Sequence, residues 1–110
     1  MNTATLARLR AARTYLTNPD HWLQGAMRND DCVCIVGALM FTTDNGKRLD
    51  AKMTALTDSA MRNARAIVFA VVTNSRGTNR LEEWNDNAAT THNDVLVALD
   101  NAISALRLAR

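Results

Sequence analysis

At 110 residues and 12.1 kDa the chain is long enough to bury one hydrophobic core without disulfide or metal staples, and too short for two cores. Its composition, 47% hydrophobic and 22% charged with a single proline, excludes a fibrous or disordered chain. A net charge of +2, from 13 basic against 11 acidic side chains, is too small an excess to argue for nucleic acid by itself.

Abundant alanine and few aromatic residues favour helices, because alanine loses no side-chain entropy in one. The expected unit is a single all-α domain over residues 1–110, a bundle of four to five helices. All the basic residues except Lys47 and Lys52 are arginine. That fork-shaped cation suits phosphate, carboxylate and protein interfaces, although GC-rich coding produces the same bias.

Leu6, Leu9, Ala12 and Leu16 recur at spacings of three and four, which predicts an amphipathic first helix from about Thr3 to Thr17. The arginines between them interrupt any continuous apolar stretch, so a secretory signal is not expected. No run approaches the roughly 18 apolar residues of a membrane span. A cytoplasmic location follows, with Cys32 and Cys34 as reduced thiols. Asn18-Pro19-Asp20 ends the helix, and His21 and Trp22 open a short turn that lays Trp22 on the core.

Asp30 and Asp31 precede the apolar run CVCIVGALMF. An acidic N-cap followed by such a run predicts a buried helix from about Asp31 to Thr42, and the small Gly37-Ala38 pair favours that helix over a strand. Thr42 to Asp50 has the composition of a surface loop, with Asn45 and Gly46 as the positive-φ pair. Leu49, Met53, Leu56, Ala60, Ala64, Ile67 and Val71 then form a ladder that predicts a helix from about Asp50 to Thr73, with a possible break at Thr57, Asp58 and Ser59. Ile67 to Val72 is apolar all round and is expected to be the most buried element, packed between the first helix and the last.

Asn74 to Asn79 reads as a loop, and RLEEW as one or two helical turns ending at Trp84. The last helix is the clearest. Thr91 and Asp94 stand in capping-box spacing, and Val95, Leu96, Leu99, Ile103 and Leu106 form its apolar stripe. Arg107 and Arg110 complement the dipole at its end.

Two segments, WLQGAMRNDDCVCIVGAL and LEEWNDNAATTHNDVLVALDNAI, together resemble a family of small bacterial and bacteriophage proteins classed as a domain of unknown function. The matching positions are Trp22, Gln24, Gly25, Ala26, Cys32, Cys34, Gly37, Ala38, Leu39, Trp84, Asn85, Asp86, Thr91, Asp94, Val95 and Leu96. The resemblance implies a shared fold and carries no activity with it.

Chemistry has to be weighed against packing at each of these residues. Two cysteines and two histidines, His21 and His92, lack the spacing of a closed zinc site, so no metal and no cofactor is expected. A nucleophile reading would use Cys32 or Cys34, with its thiol acidified near a helix start, His21 or His92 as base, and Asn85 or Asp86 as orienter. Spacing does not select that arrangement, and buried inert thiols are favoured. His92 reads as a solvated residue.

The two tryptophan segments are expected to meet in one buried corner. Trp22 and Trp84 would fill it, Gly25, Ala26, Gly37 and Ala38 would allow close approach, and Gln24, Asn85 and Asp86 would satisfy stranded amides. Any pocket would open at the polar edge with Cys34 behind it, which makes Trp22, Gln24, Cys34, Trp84, Asn85 and Asp86 the candidate binding residues.

The leading function is a small cytoplasmic interaction module, an accessory protein of phage or mobile-element origin with a protein partner. The alternative is a cysteine-dependent hydrolase or transferase built on Cys34 with His21 or His92. A weaker alternative is a nucleic-acid binder using Arg62, Arg65, Arg76 and Arg80, which could line one surface but have no stacking aromatics beside them.

Overall fold

The computed structural model describes residues 2–52, 58–72 and 80–108. The expectations for Met53, Leu56, Thr57, Arg76, Arg110 and the loop 74–79 lie outside these residues. The first helix, α1, spans Asn2–Leu16, and the ladder read from the sequence turns inward as its spacing requires, with Leu9, Ala12 and Leu16 fully buried. Asn18 then accepts a hydrogen bond from the Asp20 amide at 3.0 Å and opens a 3-10 turn over Pro19–His21. Proline's fixed φ and missing donor suit the first position of such a turn.

The helix expected from Asp31 does not start there. Arg28–Asn29 forms β1 and Cys32–Val33 forms β2, an antiparallel pair in which Asn29 faces Cys32. The two residues between them make a tight turn with Asp30 at φ 54°, a conformation that aspartate tolerates because its side chain bonds nearby backbone. Tertiary contacts hold the strands: the Tyr15 hydroxyl donates to the Asp31 carbonyl, the Leu23 amide to the Val33 carbonyl at 3.0 Å, and the Cys34 amide to the Met27 carbonyl at 3.1 Å.

The helix α2 therefore spans only Ile35–Phe41, and six of its seven residues, Ile35 to Met40, are buried. A helix sunk this deeply must find partners for its end groups inside the protein. At its start the Cys34 thiol accepts from the Gly37 amide at 3.3 Å, and the Asn85 side-chain oxygen accepts from the Ile35 amide at 2.9 Å. At its end the Arg8 guanidinium donates to the Leu39 and Thr42 carbonyls at 3.0 and 3.2 Å, and the Thr42 hydroxyl donates to the Ala38 carbonyl at 2.6 Å.

Thr42–Thr43 forms β3 and Arg48–Leu49 forms β4, a second antiparallel pair with Thr42 opposite Leu49. Their connection is a 3-10 turn over Asp44–Gly46 in which Asn45 and Gly46 take the expected positive φ, 59° and 87°. Gly46 is also required sterically, since a Cβ there would lie 2.3 Å from the Ala11 carbonyl oxygen of α1. Leu49 thus belongs to a strand and does not begin a helix.

The next helix, α3, spans Ser59–Val72, with the Asp58 carboxylate accepting from the Met61 amide at 2.9 Å as a cap. It packs against α1 on one side and on the other against the last helix, α5, which spans His92–Leu108. Its buried face is Met61, Ala64, Val68 and Val72, whereas Ile67, Phe69 and Val71 are only partly covered. The most buried element is α2, where six of seven residues are buried, whereas α3 buries one face only.

Leu81–Asp86 forms α4. The start of α5 is a reciprocal capping box: the Thr91 hydroxyl accepts from the Asp94 amide at 3.1 Å, and the Asp94 carboxylate accepts from the Thr91 amide at 3.0 Å. Val95, Ala98, Leu99, Ala102 and Leu106 face the core. An Arg13–Asp100 ion pair at 2.8 Å ties α1 to α5 at the surface. Among the described residues the architecture is mainly helical, five α-helices with two small two-stranded antiparallel sheets, which corrects the purely α expectation. Among the described residues no helix is long and apolar enough to cross a membrane.

Candidate functional site

The two tryptophan-bearing segments do meet, and Asn85 is the residue that joins them. It is fully buried, and its side-chain amide uses all four of its hydrogen-bonding positions. The oxygen accepts from the Trp22 indole N–H at 2.8 Å and from the Ile35 amide at 2.9 Å. The nitrogen donates to the Leu23 carbonyl at 2.9 Å and to the Asp86 carboxylate at 3.0 Å. Two donors converge on one end and two acceptors on the other, so the amide has one orientation only. A single side chain thereby connects the turn after α1, the start of α2 and the end of α4.

Gln24 works outward from the same point. Its amide nitrogen donates to the Asn85 and Asn87 carbonyls at 2.9 and 3.0 Å, with the Thr90 carbonyl further off at 3.4 Å. Asp86 accepts from the Gly25 amide at 2.9 Å, and Gly25 has φ 92°. Positive φ, rather than close approach, is what requires glycine there, since a Cβ on Gly25 would meet nothing within 4 Å. Close approach belongs to Gly37, where a Cβ would lie 2.2 Å from the Met27 carbonyl oxygen. Ala26 is exposed and fills no gap, whereas Ala38 is buried as expected.

Trp84 is buried in the core and Trp22 packs at its edge. Thr90 is a member of the corner that sequence reasoning passed over: it is buried, and its hydroxyl donates to the Trp84 carbonyl at 2.6 Å. Its place directly before the capping threonine is the signal that could have marked it.

Neither cysteine lies within a helix. Cys32 is a half-buried strand residue whose thiol donates to the Asp20 carbonyl at 3.0 Å. Cys34 is the N-cap of α2 and is buried. Burial raises the Cys34 thiol above its ordinary pKa, against the smaller opposing pull of the Gly37 and Val36 amides, and the charges of Asp86 and Glu82 raise it further. The helix start therefore does not acidify this thiol, because desolvation of a charged thiolate outweighs two amide hydrogen bonds.

Both histidines are engaged at the C-terminal end of α1. His21 bonds the Tyr15 carbonyl through Nδ1 at 2.8 Å and stacks on the Tyr15 ring at 4.1 Å. His92 bonds the Leu16 carbonyl through Nε2 at 2.6 Å. Each ring nitrogen facing a carbonyl must carry the proton, which fixes both tautomers. His92 is thus a half-buried cap and not a solvated residue. No hydrogen bond joins Cys34 to either histidine among the described residues, which also gather no group of three or more side chains suited to a metal ion.

Two clefts lie away from the corner. The larger, about 370 Å³, has Arg8 and Asp58 as its charged groups, and both already serve backbone groups at helix ends. The smaller, about 260 Å³, is lined by Arg62, Arg65 and Arg80 with Ala66, Phe69 and Leu81. Three of the four arginines singled out in the sequence therefore do share one surface, and Phe69 lies beside them, which corrects the expectation that no aromatic accompanies them, because helix spacing puts it one turn after Arg65.

The model of a family of unknown function, DUF6197, matches residues 1–105. The chain belongs to that family. The match spans both halves of the tryptophan corner and the arginine cleft, and it agrees with the resemblance to a domain of unknown function. No curated protein and no solved structure matches the chain.

Proposed function

We propose that this protein is a small interaction module that docks a protein partner on the loop from Trp22 to Met27 and the adjoining end of α4. The observation that carries this reading is that an exposed loop is fastened to the end of α4 by several hydrogen bonds. Gln24, Gly25 and Ala26 are exposed, yet the loop is tied down by the Trp22 to Asn85, Gln24 to Asn85 and Asn87, and Gly25 to Asp86 hydrogen bonds. A loop ordered before binding avoids an entropy cost of roughly 0.5–1.5 kcal/mol per immobilised side chain at an interface. Loops held on a rigid scaffold are also where recognition residues concentrate.

The same bonds argue against chemistry at this place. The Asn85 amide has all four of its hydrogen-bonding positions filled, the Cys34 thiol accepts from the Gly37 amide, and each imidazole is held by a backbone carbonyl through one ring nitrogen, so positioning is what these residues supply.

The test is capture of partners from a source lysate with the wild-type chain, Ala26→Arg and Leu108→Arg. Leu108 is 84% exposed at the far end of α5. A stoichiometric protein retained by wild type and Leu108→Arg but lost with Ala26→Arg is the expected result. Equal retention by all three, or turnover of a model ester or amide that depends on Cys34, would overturn the proposal.

A further inference from the structure

The cleft beside α3 has a charge pattern of its own. Arg62 and Arg65 stand one turn apart on α3, Phe69 follows on the next turn, and Arg80 enters from the residue before α4. Arg65 donates through Nη2 to Glu82 at 2.6 Å, a pair in which each side chain is only 29% and 25% exposed. Arg62 and Arg80 are exposed, and their guanidinium groups make no hydrogen bond or ion pair among the described residues. Among the described residues no carboxylate belongs to the cleft lining, so Glu82 offsets one of three guanidinium charges and the other two have no carboxylate partner.

We infer that this cleft binds the phosphate monoester of a small organic phosphate, with the phosphate between Arg62 and Arg80 and the organic body against Ala66, Phe69 and Leu81. A phosphate monoester carries about −1.5 to −2 charge at pH 7, which matches those two cations, whereas a carboxylate or one phosphodiester carries a single charge. The planar guanidinium fork pairs with two phosphate oxygens at once, a geometry that lysine does not offer. Glu82 pairs with Arg65, so that guanidinium is held before any ligand enters.

Size selects further. At about 260 Å³ the cleft falls just under the roughly 300–1,000 Å³ of sites for drug-sized ligands, which suits a small organic phosphate. That chemistry has two sources, a free nucleoside monophosphate or a phosphorylated tyrosine side chain presented by a protein. The assignment does not depend on the proposed docking loop, which is built from other residues.

Calorimetric titration and amide chemical-shift mapping with phenyl phosphate test the site directly. The expected result is saturable binding that shifts signals of residues 62–69 and 80–82. Affinity should fall on the order of tenfold or more when Arg62→Gln and Arg80→Gln are combined, given the strength of hydrogen bonds to charged groups. Both positions are exposed, so the double variant should keep the wild-type denaturation midpoint, and Arg107→Gln on α5 should bind as wild type. Inorganic phosphate, without a body to cover the apolar wall, should bind more weakly than phenyl phosphate.

Adenosine 5′-monophosphate and a phosphotyrosine tripeptide form the two source arms, and the tighter of them names the source. Three results would overturn the assignment: no saturation at millimolar phenyl phosphate, an equal loss with Arg107→Gln, or tighter binding of a single-stranded oligonucleotide that lacks a terminal phosphate. The last would make the cleft a phosphodiester site.

Discussion

Replacing Asn85 by alanine removes four hydrogen bonds from one buried point, and the cost can be worked out from the partners left behind. The Ile35 amide sits at the buried start of α2, with Ile35 itself 0% exposed, so water cannot replace the lost oxygen. A buried donor left unsatisfied costs about 1–3 kcal/mol. The Trp22 indole N–H and the Leu23 carbonyl are half-buried and recover part of their loss from solvent, which adds about 1 kcal/mol together. The vacated volume contributes a further cavity term. The expected destabilisation is therefore about 3–5 kcal/mol, a large share of the roughly 5–15 kcal/mol that holds a domain of this size together.

Urea denaturation followed by tryptophan fluorescence suits the measurement, since Trp22 and Trp84 both report from this corner. Asn85→Asp sharpens it. The aspartate keeps the oxygen that Trp22 and Ile35 need, but it turns an acceptor toward the Leu23 carbonyl and sets a second carboxylate against Asp86. It should destabilise at least as much as alanine despite its near-identical shape. A loss below about 1 kcal/mol for Asn85→Ala, the worth of one ordinary hydrogen bond, or a neutral Asn85→Asp, would refute the network and with it the claim that this residue unites the three elements.

Gly37→Ala should destabilise by about 1–3 kcal/mol or more through overpacking, because its Cβ would sit 2.2 Å from the Met27 carbonyl oxygen. A denaturation midpoint equal to wild type would show that the loop can retreat from α2. Thr91→Ala should lose roughly 1 kcal/mol, the usual worth of a threonine N-cap, by the same assay, and Asp94→Ala should lose a similar amount since the two residues cap each other. Thiol labelling at neutral pH should be faster at half-buried Cys32 than at Cys34, and faster labelling of Cys34 would contradict its burial. Because folding raises the Cys34 pKa, its contribution to stability is complete below the ordinary thiol pKa and is lost as pH rises through the raised value. Cys34→Ser, whose hydroxyl does not ionise in that range, should therefore show a flatter decline of stability on the alkaline side, and parallel curves would contradict that reading.

Local regularities in the sequence were enough to place α1, α4 and α5. Leu9, Ala12 and Leu16 turn inward in α1 because a period of 3.6 leaves them one face, and Thr91 with Asp94 closes a cap using atoms three residues apart. Asn45 and Gly46 take positive φ for a reason confined to those two residues. The union of the Trp22 and Trp84 segments was also legible, because glycines, tryptophans and short amides in two places imply a common buried polar corner.

What tertiary structure alone decided is wherever a distant group outweighed local preference. Asp31 to Val33 carries the marks of a helix start, yet the turn at Asp30 and the bonds from Tyr15, Leu23 and Met27 hold it as a strand, and α2 waits until Ile35. The apolar run of α3 looks more suited to burial than α2 does, but position in the bundle, not composition, left Phe69 and Ile67 half exposed while Ile35 to Met40 were enclosed. His92 has no local reason to be anything but solvated. It becomes a cap for Leu16, 76 residues away in the chain, only because α5 returns to the end of α1. Arg62 and Arg65 were neighbours by helix spacing, whereas Arg80 joined them through the packing of α4 on α3. A side chain's environment is set by what folds against it, and periodicity records only which face is turned inward.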